Sequence, residues 1–316
     1  MKKLLGIDIG GTKCAVIDGR YSQGELCVTG REAFETRDCR KPEKALKKIA
    51  ETAIEMTGGD FSSYSGIGIS CGGPLNSRTG CILSPPNLPG WDHVEAVSYF
   101  KNRFGIPVYL QNDANAGALA EWKFGAGKGL DNMIFLTCGT GLGAGLILNG
   151  SLYTGGNDLA GEAGHIRLAE FGPVGYGKSG AFEGFGSGGG IACLAELKVM
   201  EYRQKGLPHP LMDREITAKE VFCLAREEDE LCMEICNIAG EYMGRGMAVL
   251  IDILNPQAII GGSVFARNYE LLMPAVSRVI EKECIPAAAE NCRILPAMLS
   301  ESIGDMAALT TALGCR

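Results

Sequence analysis

Residues 4–18 read LLGIDIGGTKCAVID, and residues 132–148 read NMIFLTCGTGLGAGLIL. In each, an apolar run of strand length stops at a glycine-rich turn, and a second apolar run resumes directly after it. The glycines of Gly10-Gly11-Thr12-Lys13 let backbone N–H groups approach an anionic ligand with no Cβ in the way, while Thr12 and Lys13 add a hydroxyl and a positive charge. Gly139-Thr140-Gly141 is a second turn of this kind. A lone Gly-Gly is most often an ordinary hairpin turn. Two phosphate-type turns at the heads of two similar units point instead to a nucleotide held in a cleft.

Outward from the first turn, a third strand is expected over 25–34. A helix then starts at Pro42, carries Ala45, Ile49, Ala53 and Met56 on one face, and ends at Gly58-Gly59. A strand over 66–71, a helix over 93–104, a strand over 108–111 and a helix over 113–123 follow. The order then restarts with strands over 132–138, 143–148 and 152–153, so the repeat is one of architecture rather than of letters. Helices over 190–205, 218–226 and 229–254, a strand over 257–260 and a closing helix over 302–313 complete an α/β chain with a largely buried sheet. Gly139-x-Gly141-x-x-Ala144 formally matches a dinucleotide fingerprint, but that motif must open a helix and 144–148 reads as strand. Gly125-Ala126-Gly127-Lys128-Gly129 lacks the Ser or Thr that would make it a Walker A loop.

The 316 residues, 46% hydrophobic and 21% charged, are an ordinary globular composition with room for about two domains, which excludes a disordered or fibrous chain. A net charge of -7 gives no general grip on nucleic acid or anionic lipid, and the basic stretch from Arg37 to Lys48 has the spacing of a solvated helix face. Asp8 interrupts the first apolar run before a signal segment could form, and the uncharged stretch 132–157 is broken by Gly and Asn, so neither secretion nor a membrane span is expected. The 13 cysteines are scattered and read as reduced thiols of a cytoplasmic protein. The close pairs Cys232 with Cys236 and Cys284 with Cys292 have no neighbouring histidine in sequence, the three being His93, His165 and His209, and are not expected to bind zinc.

Three further places carry chemistry. Gln111-Asn112-Asp113-Ala114-Asn115 puts a carboxylate where a strand hands over to a helix, where Asp113 could cap the helix or accept the proton of a hydroxyl attacking phosphorus. Asp8, at a strand end, could hold Mg²⁺ through water. Glu162-Ala163-Gly164-His165 pairs a carboxylate with an imidazole in a glycine-rich setting, as a polyol site or half a metal site would.

Taken together, five motifs in register resemble the ROK family (repressor, ORF, kinase): Asp8 to Lys13, Asn112 to Asn115, Gly139 to Gly143, Gly161 to His165, and Gly261-Gly262. The resemblance runs over essentially the whole chain. It implies a two-lobed actin/hexokinase-like (ribonuclease H-like) α/β fold, with duplicated βββαβα units around an interlobe cleft. The N-terminal lobe would span 1–118, with the helix of 300–316 packing back on it, and the C-terminal lobe 119–299.

The implied activity is ATP-dependent phosphorylation of a sugar hydroxyl, the 6-OH of glucose or a related hexose. By position, Asp113 matches the family's general base, and Asn112, Glu162, His165, Glu183 and Asn87 match its sugar ligands, with Gly73 and Pro74 in the loop beside the sugar. Asp8 would assist Mg²⁺, while Gly10, Gly11, Thr12, Lys13, Gly139, Thr140 and Gly141 would cradle phosphates and Gly261 and Gly262 pass the adenosine. A dimer or tetramer is implied, with no nucleic-acid or membrane partner.

One departure matters. Where many members carry the zinc-binding Cys-x-Cys-Gly-x-x-Gly-Cys run, this chain has Val174, Tyr176 and Ala181 at the cysteine positions, so no zinc is expected. The loop is then expected to be held by apolar packing of Val174, Tyr176 and Phe182, leaving His165 free to face sugar. The sugar itself stays open among glucose, N-acetylmannosamine, fructose, allose and a β-glucoside. A repressor of the same family would carry a winged helix-turn-helix ahead of the first turn, whereas here Asp8 follows seven residues. A sugar sensor without catalysis would keep the sugar ligands, though the presence of Asp113, Thr12 and Lys13 argues against it. A kinase using polyphosphate would differ only in its donor.

Overall fold

A computed structural model describes residues 1–39 and 41–314. Arg40, within the basic stretch, and Cys315 and Arg316, the last residues of the segment 300–316 expected to form the closing helix, lie outside the described residues. The first strands are β1 (Lys2–Ile9), β2 (Lys13–Ser22), β3 (Glu25–Glu35), β4 (Tyr64–Cys71), β5 (Leu75–Asn76), β6 (Cys81–Ile82) and β7 (Val108–Asn112). Among them lie helices α1 (Pro42–Thr57), α2 (Ala96–Phe104) and α3 (Asp113–Phe124). The chain continues with β8 (Met133–Cys138), β9 (Leu142–Leu148), β10 (Ser151–Tyr153), the hairpin β11 (Val174–Gly175) and β12 (Lys178–Ser179), and helices α4 (Phe182–Gly186), α5 (Gly188–Gln204), α6 (Ala218–Arg226) and α7 (Glu230–Leu254). It closes with β13 (Ala258–Gly261), α8 (Ser263–Arg267), α9 (Tyr269–Glu283), α10 (Pro286–Asn291), β14 (Arg293–Pro296) and α11 (Ile303–Thr311).

Two five-stranded sheets share one plan. The first runs β3-β2-β1-β4-β7 and the second β10-β9-β8-β13-β14. In each, a hairpin supplies antiparallel strands and the remaining strands pair in parallel, as β1 with β4 and β4 with β7, and β8 with β13 and β13 with β14. The chain divides into two compact units: one of Met1–Gly129, Gly145–Ala160 and the C-terminal segment from Met298, the other of Leu130–Ala144 and Gly161–Ala297.

Strand periodicity decides what each face of the first sheet meets. Leu5, Ile7 and Ile9, with Cys14 and Val16, point into a core shared with Ala45, Ile49 and Ala53 of α1 and Phe100 and Phe104 of α2. Trp91, 1% exposed, belongs to the same core. Leu4, Ala15 and Ile17 point to the opposite face, against α3 and α11. Gly6 and Asp8 therefore face α11 as well: a Cβ at Gly6 would lie 3.0 Å from Ala308 Cβ, and one at Gly304 would lie 3.4 Å from Asp8 Oδ2.

Gly68 shows how close α11 comes, because a Cβ there would lie 2.1 Å from the Ala308 carbonyl oxygen and 2.3 Å from the Ala312 nitrogen. Both obstacles are backbone, so relief requires moving the helix. Gly68→Ala is expected to destabilise the protein by about 2–4 kcal/mol, read as a lower urea midpoint at unchanged slope. A midpoint within experimental error of the parent would show that α11 can lift at no cost.

In the second unit α7 packs on α9 through Gly240 and Gly244, where a Cβ would lie 2.8 Å from Ala275 Cβ and from Val279 Cβ respectively. The helix expected from 93 begins only at Ala96, since His93 takes a left-handed φ of 57° and Val94 bridges to Ile82. The twelve described cysteines are free thiols. Among the described residues no helix is long and apolar enough to cross a membrane.

Candidate functional site

In the first unit the Gly10–Lys13 turn closes β1 onto β2 and is held from several sides. Gly10 N–H donates to the Lys13 carbonyl at 3.0 Å, Thr36 Oγ1 donates to the Gly10 carbonyl at 2.7 Å, and Thr36 N–H donates to the Thr12 carbonyl at 2.8 Å. Gly11 has no room for a side chain, since a Cβ would lie 2.7 Å from the Asn87 carbonyl oxygen and 2.9 Å from Asn87 Cβ. The Asn87 amide in turn lies over Gly72, with Nδ2 3.3 Å from that residue's would-be Cβ, and Asn112 Nδ2 lies 3.2 Å from the corresponding point at Gly73. The cis Gly73–Pro74 bond lies in this loop. Turn, loop and strand end thus bring Gly11, Asn87, Gly73, Pro74 and Asn112 together, although they are dispersed along the chain.

At the β7–α3 junction the capping question resolves. Asn112 is the N-cap, its Oδ1 accepting from Ala114 N–H at 2.9 Å and from Asn115 N–H at 3.3 Å. Its Nδ2 is left as the donating end. Asp113 is then the first helical residue, with Oδ1 accepting from Ala114 N–H at 2.9 Å. Its carboxylate is still open to solvent, while the protein crowded around it strips away bulk water and raises its pKa above the ordinary carboxylate value, an effect partly opposed by the backbone and Asn112 hydrogen bonds.

Asp8, opposite Ser70 in the pairing of β1 with β4, has its pKa pushed up to about 7, first by burial and then by the negative charges of Asp113 and Asp305, with Arg31 opposing. Arg31 itself pairs with Asp305 at 2.9 Å.

Two residues of the Gln111–Asn115 motif were given no role from the sequence. Gln111 Oε1 accepts both Asn112 N–H, at 2.9 Å, and Asn115 Nδ2, at 3.2 Å, tying the end of β7 to the first turn of α3. Asn115 is buried with Oδ1 unpaired. The only available signal was polarity at positions the α/β pattern would fill with apolar side chains.

In the second unit the Gly139–Gly141 turn joins β8 to β9. Gly188 N–H donates to the Gly139 carbonyl at 2.8 Å, Gly189 N–H donates to the Thr140 carbonyl at 3.4 Å, and Leu142 N–H donates to Glu183 Oε2 at 2.9 Å. Gly164 presses on the same place, since a Cβ there would lie 2.1 Å from the Leu142 carbonyl oxygen. That contact brings the Glu162–His165 segment beside Glu183. Gly261 and Gly262 end β13, Gly262 N–H donating to the Leu136 carbonyl at 2.8 Å and Ala297 N–H to the Gly261 carbonyl at 2.9 Å.

The loop at the cysteine positions corrects one expectation. Val174 and Tyr176 are 56% and 60% exposed and do not form an apolar plug; only Phe182 is buried. Hydrogen bonds hold the loop instead, from Lys178 Nζ to the His165 carbonyl at 2.6 Å, Phe182 N–H to the Ile166 carbonyl at 2.8 Å and Gly180 N–H to the Pro173 carbonyl at 3.1 Å. Tyr176 meets the His165 ring edge to face at 4.8 Å, so the imidazole is steered by an aromatic neighbour.

Cys232 has a histidine near it in space though not in sequence. His209 Nε2 lies 3.0 and 3.1 Å from the two Asp229 oxygens, and Asp229 Oδ1 caps α7 by accepting Cys232 N–H at 2.9 Å. Those are hydrogen-bond distances; Asp229 is the helix cap, and burial with the Asp229 contact raises the Cys232 thiol.

Two sheets of one strand order, each with a glycine-rich turn at the head of its hairpin, constitute the actin/hexokinase-like fold. The chain belongs to the ROK family, whose model matches residues 4–313. It is 30% identical to the glucokinase of Thermotoga maritima over 313 residues, 97% of this chain and 96% of that one. It is 32% identical to the xylose repressor of Caldicellulosiruptor bescii over 255 residues, 80% of this chain and 61% of that protein. Among solved structures, a ROK family glucokinase from Streptomyces griseus in complex with glucose and AMPPNP superposes with a TM-score of 0.77, at 26% identity and 99% coverage of both chains.

Proposed function

We propose that this protein transfers the γ-phosphoryl group of ATP to a hydroxyl of a hexose, the 6-OH of glucose or a close aldohexose. The observation that carries this proposal is the β7–α3 junction: Asn112 takes over helix capping, and Asp113 is left accessible, with a raised pKa, as a base. A base whose pKa lies above the ordinary carboxylate value takes a hydroxyl proton more readily than a solvated one. The similarity to glucokinases over nearly the full length of both chains supports the same reading.

In the proposed reaction Asn87, Asn112, Glu162, His165 and Glu183 bind sugar hydroxyls through directional, partly charge-assisted hydrogen bonds, which reject epimers that leave a polar group unpaired. Asp113 accepts the proton of the attacking hydroxyl as its oxygen bonds to phosphorus and the bond to ADP breaks. Backbone N–H groups of Gly10–Lys13 and Gly139–Gly141, with the Lys13 ammonium, hold phosphates, and Gly261 and Gly262 pass the adenosine. Asp8, Asp113 and Asp305 interact as like charges against one opposing arginine, a hard-oxygen excess that fits Mg²⁺. When bound, Mg²⁺ would neutralise developing charge on the phosphates.

The test is ADP release with ATP and Mg²⁺ against a panel of hexoses, amino sugars and β-glucosides, each compared with a sugar-free blank. A sugar-dependent signal supports the kinase and names its substrate. Silence across the panel, with heat of sugar binding in calorimetry, would favour the second reading, a sugar-responsive regulator, for which the 32% identity to a xylose repressor speaks. Replacing ATP by polyphosphate in the same assay separates the two donors.

We also propose that the protein works without structural zinc, because Val174, Tyr176 and Ala181 offer no thiolate. Metal analysis of the purified protein is expected to give well under one zinc per chain. Stoichiometric zinc would overturn this.

A further inference from the structure

Resting on the proposed sugar-kinase function, we propose that Glu183 is a positioning residue that couples sugar occupancy to the nucleotide-binding turn, so that each ligand tightens the other through a connection lying wholly within the second unit.

The connection starts at the turn. Of the segment that follows β12, three residues hold Gly139–Leu142: Glu183 by its side chain, and Gly188 and Gly189 by their backbone N–H groups at 2.8 and 3.4 Å. Glu183 is the only side chain among the three. Its Oε2 takes Leu142 N–H at 2.9 Å, directly after the turn's last glycine. The carboxylate is walled by glycines. A Cβ at Gly141 would lie 2.8 Å from Oε2, while one at Gly175 or Gly164 would lie 2.8 or 3.3 Å from Glu183 Cβ.

Gly141 thus serves the approach of this carboxylate as much as that of any phosphate. Glu183 also sits beside the Glu162–His165 segment, through Gly164. Ser187 N–H donates to the Glu183 carbonyl at 3.0 Å, so the residue's backbone is tied to the start of α5.

A carboxylate has two oxygens on one rigid plane. With Oε2 on Leu142 N–H, a sugar hydroxyl donating to Oε1 pins that plane at its second oxygen, so the carboxylate is ordered from both ends. The ordering is done once. A nucleotide arriving afterwards meets a turn already held, so its binding no longer includes that cost, and linkage requires the sugar to gain the same factor from the nucleotide. Gln at this position keeps an acceptor for Leu142 N–H but offers the sugar a neutral donating nitrogen in place of a charge-assisted acceptor, so the second end is held more weakly.

Calorimetric titration of the full chain with AMPPNP and Mg²⁺, with and without a saturating amount of the hexose identified by the panel, tests this. In the parent protein the sugar is expected to lower the nucleotide Kd by at least about fivefold, the small end of typical couplings, and AMPPNP to lower the sugar Kd by the same factor. In Glu183→Gln, at sugar concentrations raised to saturation, the factor is expected to collapse below about twofold while the melting temperature stays close to the parent's. Glu183→Asp, which keeps both oxygens on a shorter stem, is expected to recover part of the factor.

Sugar binding with a nucleotide Kd unaltered by it overturns the coupling alone, and so does full coupling in Glu183→Gln. Absence of any sugar heat would remove the sugar-kinase function, and the coupling with it.

Discussion

Asp113→Asn is expected to lower kcat by about 10²–10⁴-fold while leaving sugar affinity within about threefold. The asparagine fits the same position: Asn112 remains the N-cap, and the new Oδ1 can still accept Ala114 N–H as the aspartate does at 2.9 Å. What disappears is the capacity to receive a proton. ADP release measures the first quantity and calorimetry with the hexose the second; near-normal turnover would remove Asp113 as the base.

The parent's pH profile gives an independent check. Desolvation by the surrounding protein raises the Asp113 pKa, and the base works only when deprotonated, so kcat/KM should rise with pH along a limb displaced above the ordinary carboxylate value. Asp113→Asn should lack that limb.

Asp8→Asn is expected to lower ATP-dependent turnover at least about 10²-fold and, without Mg²⁺, to make the protein more stable at pH 8. Burial, then Asp113 and Asp305, push the Asp8 pKa up to about 7. An unfolded Asp titrates near ~3.9, so between there and about 7 the folded chain keeps a proton that the unfolded chain has released. Stability from this group is therefore fully present below the unfolded pKa and is lost as pH rises through the folded one.

A shift of about three units corresponds to about 4 kcal/mol as an upper bound, because Asp8 keeps some access to water. Asparagine carries no charge at any pH in this range, so the variant's melting temperature should be flatter between about pH 4 and pH 7. Added Mg²⁺ should raise the melting temperature of the parent at pH 8 and leave the variant's unchanged. A variant less stable than the parent at pH 8 in chelator would mean that the ionised carboxylate is compensated in the fold.

Both expectations rest on residues that could be read from the sequence, because the constraints on them are local. Asn112 and Asp113 stand where an apolar strand meets a helix, and Asp8 ends a strand two residues before a glycine turn. The partition between Asn112 and Asp113 was not legible, since either side chain can cap and the difference lies in the backbone angles at the junction. The start of α2 was misplaced for a similar reason. The left-handed turn at His93 and the bridge from Val94 to Ile82 answer to a neighbouring strand rather than to helical periodicity.

The two hairpin units, the two glycine-rich turns and the strand-to-helix junction at Asp113 were determined by sequence alone, because glycine permissiveness, strand alternation and helix starts act over a few residues. Only tertiary structure decided that Gly68 lies under α11 and that Glu121, wholly buried, caps Ala126 N–H at 2.8 Å and Leu299 N–H at 2.8 Å from its two oxygens. It alone decided that Glu183 braces the Gly139–Gly141 turn and that His209 stands beside Asp229. In each of these the partner lies far along the chain or across a loop, and a buried carboxylate, imidazole or missing Cβ takes its meaning from whichever atom packing brings to within about 3 Å of it.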